Sequence, residues 1–177
     1  MCAYLRNLAY LCGTAADAPA ITELVSKAFA TYSDWAPPEW RMPDLDDEMR
    51  EALEQWLDEP AAWSRVALDG GEAVGYVSLL PARTAEEPRS FIPGLGHLWH
   101  LFVLREWWGT GLATHLLREA TDEAQRRGYS AIRLWTPRDN ARARAFYARE
   151  GWAPSGAEQF AEQLELDLVE LRRMLVP

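Results

Sequence analysis

Apolar positions along this chain switch repeatedly between a helical and a strand period. Residues 8–13 alternate loosely, as a short strand would. Ile21, Leu24, Val25, Ala28 and Phe29 then recur at three- and four-residue intervals behind Thr14 and Asp17, either of which can cap a helix. Thr31 to Pro43 is crowded with Trp, Pro and Asp and reads as a loop. Leu45, Met49, Ala52, Leu53, Trp56 and Leu57 resume helical spacing, which must stop before Pro60 because the ring crowds the residue ahead of it. Trp63 to Leu68 and Ala73 to Leu80 are β-rich runs joined by the hairpin signal Asp69-Gly70-Gly71. The prolines and mixed charge of Pro81 to Gly96 predict an exposed connection into an apolar strand, His97 to Leu104.

Beyond that strand, Leu112, Leu116, Leu117, Ala120 and Ala124 form one helical stripe. Glu119, Asp122, Glu123, Arg126 and Arg127 fall mostly outside it, and Gly128 supplies a stop. Ala131 to Trp135 is a short strand. A helix joins it to the preceding strand, so the two are expected to run parallel through a right-handed crossover. Asp139 or Asn140 caps a further helix that ends at Gly151, and the tail to Val176 offers one or two strands around Phe160 and Val169 to Leu175. The order β-α-α-β-β-β-α-β-α-β-β predicts an α/β fold, a mixed sheet with helices on both faces. No repeat, linker or low-complexity stretch divides the chain, so one domain over residues 1–177 is expected.

Charge narrows the chemistry. With 27 acidic against 18 basic residues and a formal charge of −9, the chain lacks the basic face that nucleic acid requires. A cationic amine suits it better, although acidic surfaces also serve solubility alone. Cys2 and Cys12 make neither a metal motif nor a disulfide framework, which fits a reducing cytosol and no metal. The opening Met1 to Cys12 is broken by Arg6 and Asn7, and no apolar run approaches the ~18 residues of a membrane span. The expectation is a cytoplasmic protein with no membrane association.

Between the His97–Leu104 strand and the long helix lies the turn Trp108-Gly109-Thr110-Gly111-Leu112-Ala113. Glycines let backbone approach a ligand, and the free amides at the start of the helix, with its dipole behind them, suit a phosphate. Farther on, Asn140, Ala143, Phe146, Tyr147, Gly151 and Trp152 keep a fixed spacing. Together the two segments resemble the GNAT superfamily of acyl-CoA N-acyltransferases. There the turn follows [Arg/Gln]-x-x-Gly-x-[Gly/Ala] and the second segment follows Asn-x-x-Ala-x-x-[Leu/Phe]-Tyr-x-x-x-Gly-[Phe/Trp]. The second motif is unbroken here, and Thr14 to Ile21 is similar to the usual start of the family's first helix. The turn departs at Trp108, where the family has Arg or Gln. This leaves the side-chain contribution to phosphate binding open, while the main-chain contribution stands.

The resemblance implies a GNAT-like fold and acetyl-CoA as co-substrate, with transfer to a primary amine of a small molecule, peptide or protein. It also implies roles. Main-chain amides from Gly109 through Thr110, Gly111, Leu112 and Ala113 to Thr114 would hold the diphosphate, and Leu101, Phe102 and Val103 would pair with the pantetheine arm. Tyr147 would face the sulfur and protonate the departing thiolate, a core aromatic being the alternative, with Asn140 and Phe146 beside the cofactor; Asn140 is equally readable as a helix cap. By the period of two, His97 shares a strand face with Trp99, Leu101 and Val103 and is the candidate base, with His100 pointing the other way. A structural histidine, or attack by an already neutral amine, remains the alternative. Of the nine tryptophans, Trp35 and Trp40, with Trp99, are candidates to wall the acceptor pocket. Dimers are common in the family, so a homodimer is an open expectation. A catalytically silent acyl-CoA-binding module of the same fold is the competing reading, motivated by Trp108 and the absence of an obvious base. The lack of G-x-G-x-x-G after the first strand and of any Gly-Lys-[Ser/Thr] argues against a third reading, a Rossmann or P-loop phosphate binder.

Overall fold

The hydrophobic stripes meet around a seven-stranded sheet. The computed structural model describes residues 8–42, 47–84 and 89–175; Cys2, Leu45 and the side chains of Met49 and Ala52 lie outside this description. Its elements are β1 (Ala9–Leu11), α1 (Ala18–Phe29), α2 (Asp47–Leu57), β2 (Trp63–Asp69), β3 (Glu72–Arg83), β4 (Phe91–Val103), α3 (Leu112–Arg126), β5 (Ala131–Pro137), α4 (Ala141–Arg149), β6 (Ala153–Ala161) and β7 (Leu166–Met174). Strands lie in the order β1-β2-β3-β4-β5-β7-β6, and every pairing is antiparallel except β4 with β5. The mixed sheet and the element order agree with the sequence pattern.

Local chemistry accounts for the helices. The Thr14 amide and hydroxyl both donate to the Asp17 carboxylate, at 2.9 and 2.7 Å, and set up the start of α1. Helix α1 buries Ile21, Leu24, Ala28 and Phe29. In α3 the five stripe residues Leu112, Leu116, Leu117, Ala120 and Ala124 are all fully buried. They press close to β3: a Cβ on Gly75 would lie 2.9 Å from a Leu116 methyl. Glu123 departs from the expected solvent face and is buried. Arg127 bonds its carboxylate at 2.5 Å and also reaches the Ala61 carbonyl, and Arg126 pairs with the second oxygen. Two arginines offset the buried charge, although only one of its oxygens is hydrogen-bonded.

Two features of β4 differ from the sequence expectation. The strands extend into the expected connection, with Arg83 pairing Phe91. Pro81 stands in register with Gly96 inside β3, beyond the last β2 pairing at Trp63–Leu79, so no β2 residue lies opposite it. In addition, Ser78 pairs His100 while Leu79 pairs Leu98, leaving Trp99 as an extra residue. This bulge reverses the alternation. His97, His100 and Phe102 therefore share the face of Leu80, Ser78 and Tyr76, toward α1 and α2: Phe29 lies 5.5 Å from Phe102 and Trp56 lies 6.4 Å from His100, centroid to centroid. The expectation that His97 shares a face with Leu101 and Val103 is corrected by that single inserted residue, whereas Trp99 stays on the α2 side, 5.1 Å from Trp56 and stacked on His100.

Candidate active site

Strand β4 pairs with β5 only at Leu95–Ala131, Gly96–Ile132 and His97–Arg133. Past His97 the two strands diverge, and a cleft of about 560 Å³ opens between Leu98 to Val103 on one side and Leu134 to Pro137 on the other. On its cleft side the second half of β4 thus has backbone groups with no strand partner. Extended backbone of this kind can pair with a ligand's amides.

One end of the cleft is the glycine turn. Gly109 and Gly111 have φ of +77° and +93°, a region that a side chain would strain, and Gly111 is the N-cap of α3. Among the described residues the amides of Ala113 and Thr114 have no protein acceptor, and both residues line the cleft together with Trp108, Gly109 and Gly111. The Thr110 hydroxyl is spent on the Trp107 carbonyl at 2.7 Å, and the Leu112 side chain is in the core. Their amides are engaged at long range within the turn, Thr110 with the Trp107 carbonyl and Leu112 with the Thr110 hydroxyl, both at 3.4 Å.

The cleft's other wall is α4. Asn140 caps it, its Oδ1 accepting from the Ala143 amide at 3.0 Å, and Asn140 also lines the cleft, so both sequence readings of this residue are compatible with its position. Ala143, Phe146 and Tyr147 follow on the cleft side. Tyr147 is 8% exposed, packed edge-on to Phe146 and Trp152 at 5.2 and 5.8 Å. Burial, and the neighbouring Tyr32, push its phenol well above the ordinary tyrosine range, so it holds its proton.

Tyr32 is a residue that sequence reasoning passed over. It sits in the 3₁₀ turn Ala30–Asp34 after α1 and lines the cleft, and burial pushes its hydroxyl up to about 12. Trp35 and Trp40 do not line the cleft. They stand behind Tyr32 at 4.6 and 5.7 Å, and the Trp40 Nε1 donates to the Leu164 carbonyl at 2.8 Å, tying this segment to the β6–β7 hairpin. The aromatic crowding of 31–43 was the available signal, but spacing alone could not say which ring faces inward. Trp99 does line the cleft, stacked on His100 at 4.6 Å.

His97 lies outside the cleft lining, on the still-paired part of β4 opposite Arg133. Burial, aided by Arg133, lowers its pKa to about 4. His100 is lowered to about 3 by burial and by His97, and its Nδ1 has no hydrogen-bond partner. Both imidazoles are therefore neutral at ordinary pH. Among the described residues no three His, Cys, Asp or Glu side chains are arranged to hold a metal, and no helix is long and apolar enough to cross a membrane.

A family model described as the acetyltransferase (GNAT) family matches residues 29–152, which span β4, the glycine turn, the cleft and α4. The chain belongs to the GNAT family. This GNAT chain is 30% identical over 142 residues to a mycothiol acetyltransferase of Beutenbergia cavernae, a match covering 80% of the chain and 43% of that protein. It spans about half the length of the curated relatives it matches. Its fold is similar to a ribosomal-protein-alanine N-acetyltransferase of Brucella melitensis, with TM-score 0.73, 23% identity and coverage of 94% of this chain and 99% of that one. It is also similar to the PaiA N-acetyltransferase of Thermoplasma acidophilum, solved in complex with coenzyme A, with TM-score 0.65, 14% identity and coverage of 95% and 99%. At these identities the structural likeness speaks to the GNAT fold.

Proposed function

We propose that this chain is an N-acetyltransferase that moves the acetyl group of acetyl-CoA to a primary amine of a small molecule, peptide or protein. The observation that carries this reading is that one cleft joins the free amides at the start of α3, the unpaired backbone of β4 and the Tyr147 hydroxyl. These groups match, in order, a diphosphate, an amide-bearing arm and a thioester. Main chain from Gly109 to Thr114 would hold the first, and Leu101 to Val103, with Asn140 and Phe146 alongside, would hold the second. Bound acetyl-CoA supplies an acetyl group activated as a thioester.

The chain's own residues do the rest. A main-chain donor on β4, that of Leu101, faces the carbonyl oxygen as negative charge builds there, an interaction worth roughly 3 kcal/mol when preorganised. Tyr147 keeps its proton and donates a hydrogen bond to the sulfur, which departs as thiolate when the carbon–sulfur bond breaks and then takes a proton from solvent. Tyr32, Trp99 and Phe102 wall the acceptor end and exclude water. His97, half-buried and in register with Arg133 outside the cleft, is not retained as the base in this reading; the amine attacks in its neutral form, and solvent takes its proton.

The experiment is release of free CoA thiol from acetyl-CoA across an amine panel, alongside calorimetry of CoA binding. Thiol release that depends on the amine supports transfer. CoA bound tightly with no release to any amine supports the silent-module reading, which the neutral histidines outside the cleft favour. No CoA binding at all removes both.

A further inference from the structure

Trp108 stands where the GNAT turn carries Arg or Gln, so this turn has main-chain donors but no cation of its own. The structure shows how Trp108 is held and what stacks on it. The Trp108 indole is pinned by a hydrogen bond from its Nε1 to the Val103 carbonyl, at 3.1 Å, at the end of β4. Arg142, in the first turn of α4, lies with its guanidinium carbon 3.7 Å from the ring centroid, the separation of direct stacking. A guanidinium flat on an indole keeps its N–H edges pointing outward, free to bond. Arg105 also approaches this ring, at 5.3 Å, but its charge is committed to Asp34 at 2.7 Å.

Arg142 is uncommitted. Arg65, Arg83, Arg133 and Arg138 each sit in an ion pair, whereas Arg142 and Arg149, both lining the cleft, are paired with no described residue. Helix stability does not explain the position either, because a cation in the first turn of α4 opposes the helix dipole. What remains is an oriented cation beside the turn, on a platform that fixes its plane, with its bonding edges directed at no protein group.

We infer that Arg142, held flat on Trp108, is the phosphate-binding side chain of this cleft and replaces the Arg or Gln missing from the turn. The inference rests on the proposed use of CoA and adds which side chain grips the nucleotide half. The shared ligand chemistry is a phosphate, either the diphosphate or the 3′-phosphate.

The test is calorimetric binding of CoA, 3′-dephospho-CoA and phosphate-free pantetheine at low salt, to the unaltered chain and to R142A, R142K, W108A and W108R/R142A. Arg142 is exposed, so thermal melts of R142A should match those of the unaltered chain. R142A is expected to bind CoA about ten- to a hundredfold more weakly, the loss of a charge-assisted bond, and to bind pantetheine equally well. R142K falls between, since an ammonium cannot stack as a plane. W108A weakens CoA binding by unseating Arg142, and W108R/R142A recovers most of the affinity by returning the cation to the turn. A loss that persists with 3′-dephospho-CoA assigns Arg142 to the diphosphate; one that vanishes assigns it to the 3′-phosphate. Unchanged CoA affinity in R142A, an equal loss for pantetheine, or no recovery in the double variant overturns the assignment while leaving the proposed function standing. An unaltered chain that binds no CoA overturns both.

Discussion

Replacing Tyr147 by Phe removes one oxygen from the candidate site and little else. The ring is packed between Phe146 and Trp152 and is 8% exposed, and Phe keeps those contacts. The hydroxyl has no hydrogen bond to the described residues, so no buried partner is orphaned. The stability change should stay within about 0.5 kcal/mol. Catalysis should respond differently. A hydrogen bond to a charged sulfur is worth about 1.5–3 kcal/mol, which corresponds to a fall in kcat of roughly 10- to 150-fold. The bond matters only as the sulfur gains charge, so CoA affinity should be nearly unchanged. The phenol also titrates well above its ordinary value; it stays protonated through the working range, and the unaltered enzyme should show no basic limb from Tyr147 below about pH 10. The assay is thiol release at saturating amine, with CoA affinity measured separately. An unchanged kcat, or a loss of kcat matched by equal loss of CoA affinity, refutes the donor role of Tyr147.

Other outcomes follow from the same coordinates. Asn140→Ala should lose the cap bond to the Ala143 amide and about 1 kcal/mol of stability. Asn140→Asp should keep the stability yet weaken CoA binding if the side-chain amide also meets the cofactor; thermal melts and calorimetry separate the two roles. Gly96→Ala would set a Cβ 2.9 Å from the Tyr129 ring and should cost about 1–3 kcal/mol in urea unfolding. Acid should destabilise the fold through His97 and His100, held at about 4 and about 3 against ~6.5 unfolded. Only the unfolded chain takes up these protons as pH falls below ~6.5, so stability is intact above that value and declines toward pH 4, by up to about 1.4 kcal/mol per unit for each histidine. His100→Phe should flatten that decline in melts recorded from pH 7 to 4.5, and an unaltered slope would exclude His100 as its source.

Sequence by itself determined what depends on local spacing. The element order, the α3 stripe from Leu112 to Ala124 and a cap for α4 at Asp139 or Asn140 are properties of neighbouring residues, legible because helix and strand periods act over short separations; the structure chose Asn140. The glycine turn and the Asn140 to Trp152 motif were legible for the same reason. Tertiary structure decided which of these residues meet. One extra residue at Trp99 reversed the alternation of β4 and carried His97 to the face of His100 and Phe102, a shift that no count of apolar positions reveals, since a bulge is specified by the partner strand. It also put Tyr32 in the cleft with Trp35 and Trp40 as its support, and set Arg142 of α4 on Trp108 of the turn. Tyr32 is distant in the chain from the cleft strands, as Arg142 is from Trp108, and their meeting depends on how helices seat against the diverging strands, which the linear pattern does not encode.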